Sequence, residues 1–267
     1  MKVITLGTSH GNSTFCRFNT STMYQTSDGS MYLIDAGAPV EALIRRAGYD
    51  VQNIRATFIT HLHDDHAGGL SGLIKQITKY PSKRAIGPMS LFLPEESAIS
   101  ALKGWIFAVH EPADSPLIDY RAVVDGVIYE DDNIQVTSHR TQHLRTKGRC
   151  EGDPCSFAYE IYFKGEGKRV LHTGDLTADL HDFPTVLFDK DFDLCVCEAT
   201  HYPPELGAQV LGRGRMKNLL FIHIYDRWHK IVGPAWQMTD GESELLSYYR
   251  ELKCPVLIAH DGDEFLF

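Results

Sequence analysis

The chain has 267 residues, 43% of them hydrophobic and 23% charged, with 22 Gly and 12 Pro, a globular composition that excludes disordered, fibrous and coiled-coil classes. Its length allows one large domain or two small ones, since single α/β or all-β domains reach ~250 residues. The excess of 35 acidic over 26 basic side chains leaves a charge of −9, the wrong sign for a broad nucleic-acid surface, so extended nucleic acid is not an expected partner.

In chain order, short apolar runs bounded by turn residues predict strands over 3–6, 15–18, 32–34 and 56–59. The first run is too short for a signal-peptide core, and no run reaches the ~18 residues of a membrane span. A cytoplasmic protein with its six cysteines reduced is expected. Apolar residues at Val40, Leu43, Ile44 and Ala47 predict a helix stopped by Gly48. A second helix is carried by Leu70, Leu73, Ile74 and Ile77 and ends before Pro81. Segment 88–116 has no decisive pattern. From 120 to 138 the sequence is β-rich, with a strand over 134–138. Further strands are expected at 156–163, 169–173, 194–196, 219–222 and 256–259, the last two flanking a helix over 242–252. No repeat or linker marks a boundary, and one α/β domain over 1–267 is preferred.

The 13 histidines are unevenly spread. Three fall in His61-Leu62-His63-Asp64-Asp65-His66, directly after an apolar run. In an extended loop, residues two apart point the same way, so His61 and His63 can grip one ion while a turn aims Asp65 and His66 at a second. Imidazole nitrogen and carboxylate oxygen suit zinc, and also iron or manganese, and a catalytic site keeps a position open for water. A solvated polar loop would have no reason to choose histidine three times.

His61-x-His63-x-Asp65-His66 after a strand resembles the signature of the metallo-β-lactamase superfamily, and the resemblance covers nearly the whole chain. It implies a four-layer αβ/βα sandwich and two divalent metal ions, Zn2+ first, with Mn2+ or Fe2+ as alternatives. It also implies a hydrolase in which the metals activate a shared hydroxide. Later ligands follow residue by residue. His143 fits the third histidine of the first metal, Asp175 the aspartate bridging both metals, and His223 the histidine of the second. Asp65 would ligate and also orient the attacking water. His139 competes with His143, and His260 with His223. Gly174 before Asp175 permits unusual backbone geometry, and His172 is read as structural.

Two stretches narrow the resemblance to the ribonuclease Z-like branch. They are Tyr32-Leu33-Ile34-Asp35-Ala36-Gly37, with Gly68-Gly69-Leu70 behind the histidine motif, and Asp193-Leu194-Cys195-Val196-Cys197-Glu198-Ala199-Thr200. The match breaks at Cys197, which stands where the tRNA-processing enzymes carry a histidine thought to protonate the leaving oxygen. In addition, the 31 residues of 144–174 are too few for the tRNA-clamping arm of those enzymes. The expected activity is phosphodiester hydrolysis on a small anionic, phosphorylated substrate. Lactone or thioester hydrolysis, tRNA 3′ processing and a metal-binding module without turnover are the alternatives, and a homo-oligomer is left open. Cys195 and Cys197 share a strand face, and buried or idle thiols are expected over a redox or metal pair. Basic residues gather at Arg140, Arg145, Lys147 and Arg149 and again at Arg213, Arg215 and Lys217. Of these, Arg145, Arg213 and Arg215, together with His10 in the loop after the first strand, are the expected substrate contacts.

Overall fold

Alternation along the strands decides the layering. The computed structural model describes residues 1–144, 155–229, 231–232, 237–238 and 241–267. The first half supplies β1 (Lys2–Gly7), β2 (Ser21–Gln25), β3 (Met31–Ile34), β4 (Ile54–Phe58), β5 (Met89–Leu93) and β6 (Ile118–Ala122). The second supplies β7 (Gly126–Glu130), β8 (Ile134–Thr141), β9 (Ser156–Phe163), β10 (Lys168–His172), β11 (Leu194–Ala199) and β12 (Leu219–Ile224). A small pair, β13 (Ile231–Val232) and β14 (Gln237–Met238), precedes β15 (Val256–Ile258) and β16 (Asp263–Leu266). One sheet runs β16-β1-β2-β3-β4-β5-β6 and the other β15-β12-β11-β10-β9-β8-β7, so the last strand crosses back to edge the first sheet.

Tyr24, Tyr32, Ile34 and Phe58 of the first sheet meet Val136, Phe157, Tyr159, Ile161, Val196 and Ile222 of the second in a shared inner core. The alternate residues face outward. Met23, Leu33 and Leu91 pack under α1 (Val40–Arg46), α3 (Leu70–Lys79) and α4 (Glu96–Ala108). On the other side, Leu171, Cys195, Cys197 and Phe221 pack under α5 (Val186–Asp189), α6 (Pro204–Leu211) and α7 (Gly241–Tyr248). This is the expected helix–sheet–sheet–helix sandwich.

Most sequence expectations fall within one to three residues of these elements, with three larger differences. Segment 15–18 is a loop, not a strand: Phe15 is 73% exposed, while Arg17 beside it is buried and donates to Thr8 Oγ1 (2.6 Å) and to Glu242 Oε1 (3.1 Å). The second strand is instead the polar Ser21–Gln25, whose Thr22 and Tyr24 face the inner layer. The undecided segment 88–116 holds β5 and α4, and the helix expected over 242–252 is the shorter Gly241–Tyr248.

Strands β1, β3 and β4 are mutually parallel, as are β8, β10, β11 and β12. Their carboxyl ends meet at one rim, the position where ligands bind in open α/β sheets.

Candidate metal centre and active site

The backbone turns sharply where β4 ends. Short helix α2 (Asp64–Ala67) follows, with His63 as the residue before it. His61 and His63 thereby stay on the extended lead-in, with His61 Nε2 2.8 Å from His63 Nδ1, while Asp65 and His66 ride on the helix. Each isolated donor of the second half comes from the end of a different strand: His143 after β8, Asp175 after β10 and His223 as the penultimate residue of β12.

Asp175 lies between two groups. Its Oδ2 is 3.6 Å from His61 Nε2 and 3.6 Å from His143 Nε2. Its Oδ1 is 3.4 Å from His66 Nε2 and 3.6 Å from His223 Nε2. Asp65 Oδ2 joins the second group, 3.4 Å from His66 Nε2 and 3.1 Å from His223 Nε2. The donors thus gather in two sets, His61, His63, His143 and Asp175, and Asp65, His66 and His223; Asp175 reaches the second set through Oδ1 and also groups with His201 and His223.

Local geometry enforces this convergence. Gly174 has φ +60°, and a Cβ there would lie 2.9 Å from Phe157 O and from Thr60 Cβ, so only glycine lets β10 turn this close to β4 and β9. Asp35 and His223 adopt positive φ (60° and 50°) without being glycine. Such conformations persist where surrounding structure over-determines them, often at functional sites.

The imidazoles are aimed from behind. His66 Nδ1 is 2.8 Å from Asp35 Oδ2, and that carboxylate also takes the Thr60 hydroxyl and backbone N–H. His143 Nδ1 donates to Leu176 O (3.1 Å), and His61 Nδ1 lies 3.1 Å from Thr60 Oγ1. These contacts leave the Nε2 atoms of all three facing inward, the arrangement that orients metal-ligating histidines. Two of the inward atoms, His66 Nε2 and Asp175 Oδ1, are buried with no hydrogen-bond partner. Unpaired buried polar atoms require an explanation, and a cation bound by this donor set supplies it.

The electrostatics agree. Burial works against a charged Asp175, yet His223, His66, His201 and His61 outweigh it and hold its pKa well below the ordinary range. Burial also opposes protonation of His66, but Asp175 and Asp35 outweigh that and hold its pKa well above 6.5. His61 and His143, where burial dominates, are held low and neutral. The two carboxylates attract positive charge to the middle of the cluster, and neutral imidazoles stand ready as ligands.

One residue beside the centre escaped the sequence reading. Cys197 does not face the rim; it is buried on the outer face of β11, 3.2 Å from Tyr202 Oη. The neighbour on the opposite face, Glu198, points inward. It accepts from Leu176 N (2.8 Å) and lies 3.0 Å from His201 Nδ1 through both oxygens. His201 is 3.7 Å from Asp175 Oδ2, and its ring lies 4.5 Å from that of His143. Burial lowers its pKa, but Glu198 and Asp175 overcome this and raise it to about 9. The imidazole beside the His61–His143–Asp175 cluster is therefore His201, and Cys197 faces away from it. A carboxylate and an imidazole three apart, just past an apolar strand, was the available signal.

Other expected positions separate. His139 pairs with Glu160 (3.3 Å) on the outer face, and His260 with Glu242 (2.7 Å), so neither joins the cluster. His172 is buried against Tyr24 Oη (2.9 Å). Arg213 and Arg215 are corrections: they precede β12 at the end opposite His223, Arg213 over the Phe188 ring and Arg215 2.8 Å from Asp191. From Leu219 to His223 alone the strand spans about 13 Å. Arg140 is paired with Asp125 (2.7 Å), and Arg145, Lys147 and Arg149 lie outside the described residues. His10 does reach the rim, its ring 6.4 Å from His223 and 5.1 Å from half-exposed Tyr225. Next to it, Gly11 N–H donates to Asp65 Oδ2 (2.8 Å).

Comparison with known proteins agrees with this geometry. Residues 1–200 match the family model described as Anti-Pycsar protein Apyc1. A ribonuclease Z from Marinobacter nauticus is 30% identical over a 320-position alignment covering 99% of this chain and 96% of that protein. Among solved structures, human tRNase Z, short form, superposes with a TM-score of 0.74 at 18% identity, covering 100% of this chain and 99% of that one. Unliganded yeast PDE1 does so with a TM-score of 0.74 at 14% identity and the same coverage. These likenesses show the metallo-β-lactamase fold. No helix among the described residues is long and apolar enough to cross a membrane.

Proposed function

Because the chain belongs to the family described as Anti-Pycsar protein Apyc1, in the ribonuclease Z-like branch of metal-dependent hydrolases with the metallo-β-lactamase fold, we propose that it is a phosphodiesterase acting on a small anionic phosphodiester with two divalent cations, Zn2+ first. The observation that carries this reading is the division of Asp175 between two imidazole groups, Oδ2 toward His61 and His143 and Oδ1 toward His66 and His223. His61, His63, His143 and Asp175 would hold one cation, and Asp65, His66, His223 and Asp175 the other. When bound, such a pair lowers the pKa of a shared water to ~7 and stabilises charge on a phosphoryl oxygen.

The chain's own residues do the rest. Asp65, fixed by Gly11 N–H, orients the attacking water. Asp35 and the Leu176 carbonyl keep His66 and His143 in the tautomer that offers Nε2. His201, backed by Glu198, holds a proton for the departing oxygen, a role that spares the leaving group from departing as a bare alkoxide. The site draws on both halves of the chain, which favours one domain over 1–267, and the buried thiols of Cys195 and Cys197 suit a reducing, cytoplasmic setting.

A panel of chromogenic phosphodiesters, phosphomonoesters, lactones and thioesters, run with metal quantification, tests the proposal. Turnover of the phosphodiester above the other three supports it. Bound metal with lactone or thioester turnover, or with none, rejects it. A precursor tRNA belongs in the same panel because of the Marinobacter relative; cleavage at the tRNA 3′ end with no turnover of small diesters would move the assignment to that enzyme's activity.

A further inference from the structure

A second group of ligand-type side chains stands at the rim, outside the seven residues above. His10, from the loop after β1, and Asp226 and His229, from the turn after β12, bring three donor atoms within 4.8 Å of one another. His10 Nδ1 lies 3.8 Å and His229 Nδ1 3.7 Å from the same oxygen, Asp226 Oδ1. We propose that these three residues form a third divalent-cation site, distinct from the centre bridged by Asp175.

Three features support it. First, the spacing is too long for hydrogen bonds and matches that of the main centre, where Asp175 lies 3.4–3.6 Å from its four histidines. Zn–N bonds of ~2.0–2.1 Å in tetrahedral geometry put neighbouring donors about 3.4 Å apart, so a shift of a few tenths of an ångström by Asp226, which is 59% exposed, closes the site. Second, one of the rings, that of His229, is set from behind by a carbonyl, and His10 packs against it, its ring centroid 6.3 Å from that of His229. His229 Nε2 lies 2.8 Å from Ile224 O. That contact fixes the ring tautomer, as the backing carbonyls and carboxylates of the main centre do. Third, His10 Nδ1 is buried and has no hydrogen-bond partner, although a carboxylate oxygen lies just beyond reach.

Two imidazoles and one carboxylate select a transition-metal dication over Mg2+ or Ca2+. Three protein ligands leave a coordination position for water or for an oxygen of the substrate. The site would tie the loop after β1 to the turn after β12, and through Gly11 it would steady the N–H that holds Asp65. In this assignment His10 meets a substrate anion through a cation instead of directly.

The test is metal loading of the whole chain. Chelated protein is saturated with Co2+, freed of excess by gel filtration, quantified, and crystallised for anomalous diffraction at the cobalt edge. A peak among His10, Asp226 and His229, together with one metal equivalent fewer in Asp226→Ala, is the expected result. His10→Ala should lose the same equivalent, and an unchanged far-UV spectrum and melting curve for the metal-free variants checks that folding is intact. Anomalous peaks confined to the Asp175 centre, or equal metal content in wild type and Asp226→Ala, would overturn the proposal. Because the peaks are located individually, an empty Asp175 centre with an occupied rim site would sink the hydrolytic reading alone.

Discussion

The two sheets build one centre by opposite means. The first concentrates four donors in a single turn after β4, with Asp35 and Thr60 bracing them from within the same sheet. The second spends one strand end per donor: β8 for His143, β10 for Asp175, β12 for His223, and β11 for the Glu198–His201 pair. A contiguous turn is set by local backbone geometry. Scattered donors are set by the register of parallel strands, so their placement depends on the integrity of the whole sheet. The first half therefore works as a claw on one short stretch of backbone, while the shared carboxylate and the Glu198–His201 pair reach the centre only through the packing of the second sheet.

The largest expected effect comes from the carboxylate that joins the halves. Asp175→Ala should lower phosphodiester turnover by about 10³-fold or more, since in the proposed two-cation centre both ions would lose a ligand and each would contribute several kcal/mol, while the far-UV spectrum is kept. Full activity in that variant would break the account of a shared carboxylate. Next, His201→Ala should cost ~10²–10⁴-fold in kcat on a substrate with a poor alcohol leaving group. The loss should be much smaller with p-nitrophenolate, which needs no proton, and metal content should not change. An equal loss on both leaving groups would make His201 a positioning residue.

The claw depends on its brace. Asp35→Asn should weaken metal affinity by ~10–100-fold, with activity recovered at high metal concentration; an unchanged affinity would show that the turn after β4 needs no support from β3. The smallest effect lies away from the rim, in the second sheet's outer face. Burial raises the Glu160 pKa, but His139, Lys190 and Arg169 outweigh it and hold it at about 2. Lys190 Nζ is 3.1 Å from both carboxylate oxygens. A carboxylate held below its ordinary value of 4.5 stabilises the fold fully above about pH 5, and that contribution disappears as pH falls toward 2. With Lys190 half-exposed, the contribution is on the order of 2 kcal/mol after screening. Glu160→Gln should therefore melt lower at pH 7 and lose less stability between pH 5 and 3 than wild type; parallel melting curves in the two proteins would show that the network adds nothing.

The same contrast explains what could be read from the amino acids. His61 to His66 are legible because one turn carries all the donors, and metal chemistry leaves no bland reason for three histidines in six residues. Arg213 and Arg215 misled because closeness in sequence to His223 is not closeness in space: a strand of known rise lies between them. Cys197 misled in the other direction. The period of two along β11 sends Cys197 to the helix layer and Glu198 to the rim, so its place in the motif said nothing about the side it faces. The strand at Ser21–Gln25 was hidden because its inner residues, Thr22 and Tyr24, are polar at the tip yet buried, and the apolar Phe15 next to it is exposed.

A metal titration of chelated protein, following hydrolysis of bis(p-nitrophenyl) phosphate against equivalents of Zn2+ or Mn2+, tests whether the two sheets share one centre. Activity should be absent without metal, rise with added metal and require the second ion of the Asp175 pair, and it should not return at any metal concentration in Asp175→Ala. Hydrolysis by metal-free protein, or full rescue of Asp175→Ala, would contradict a single centre shared by the two sheets.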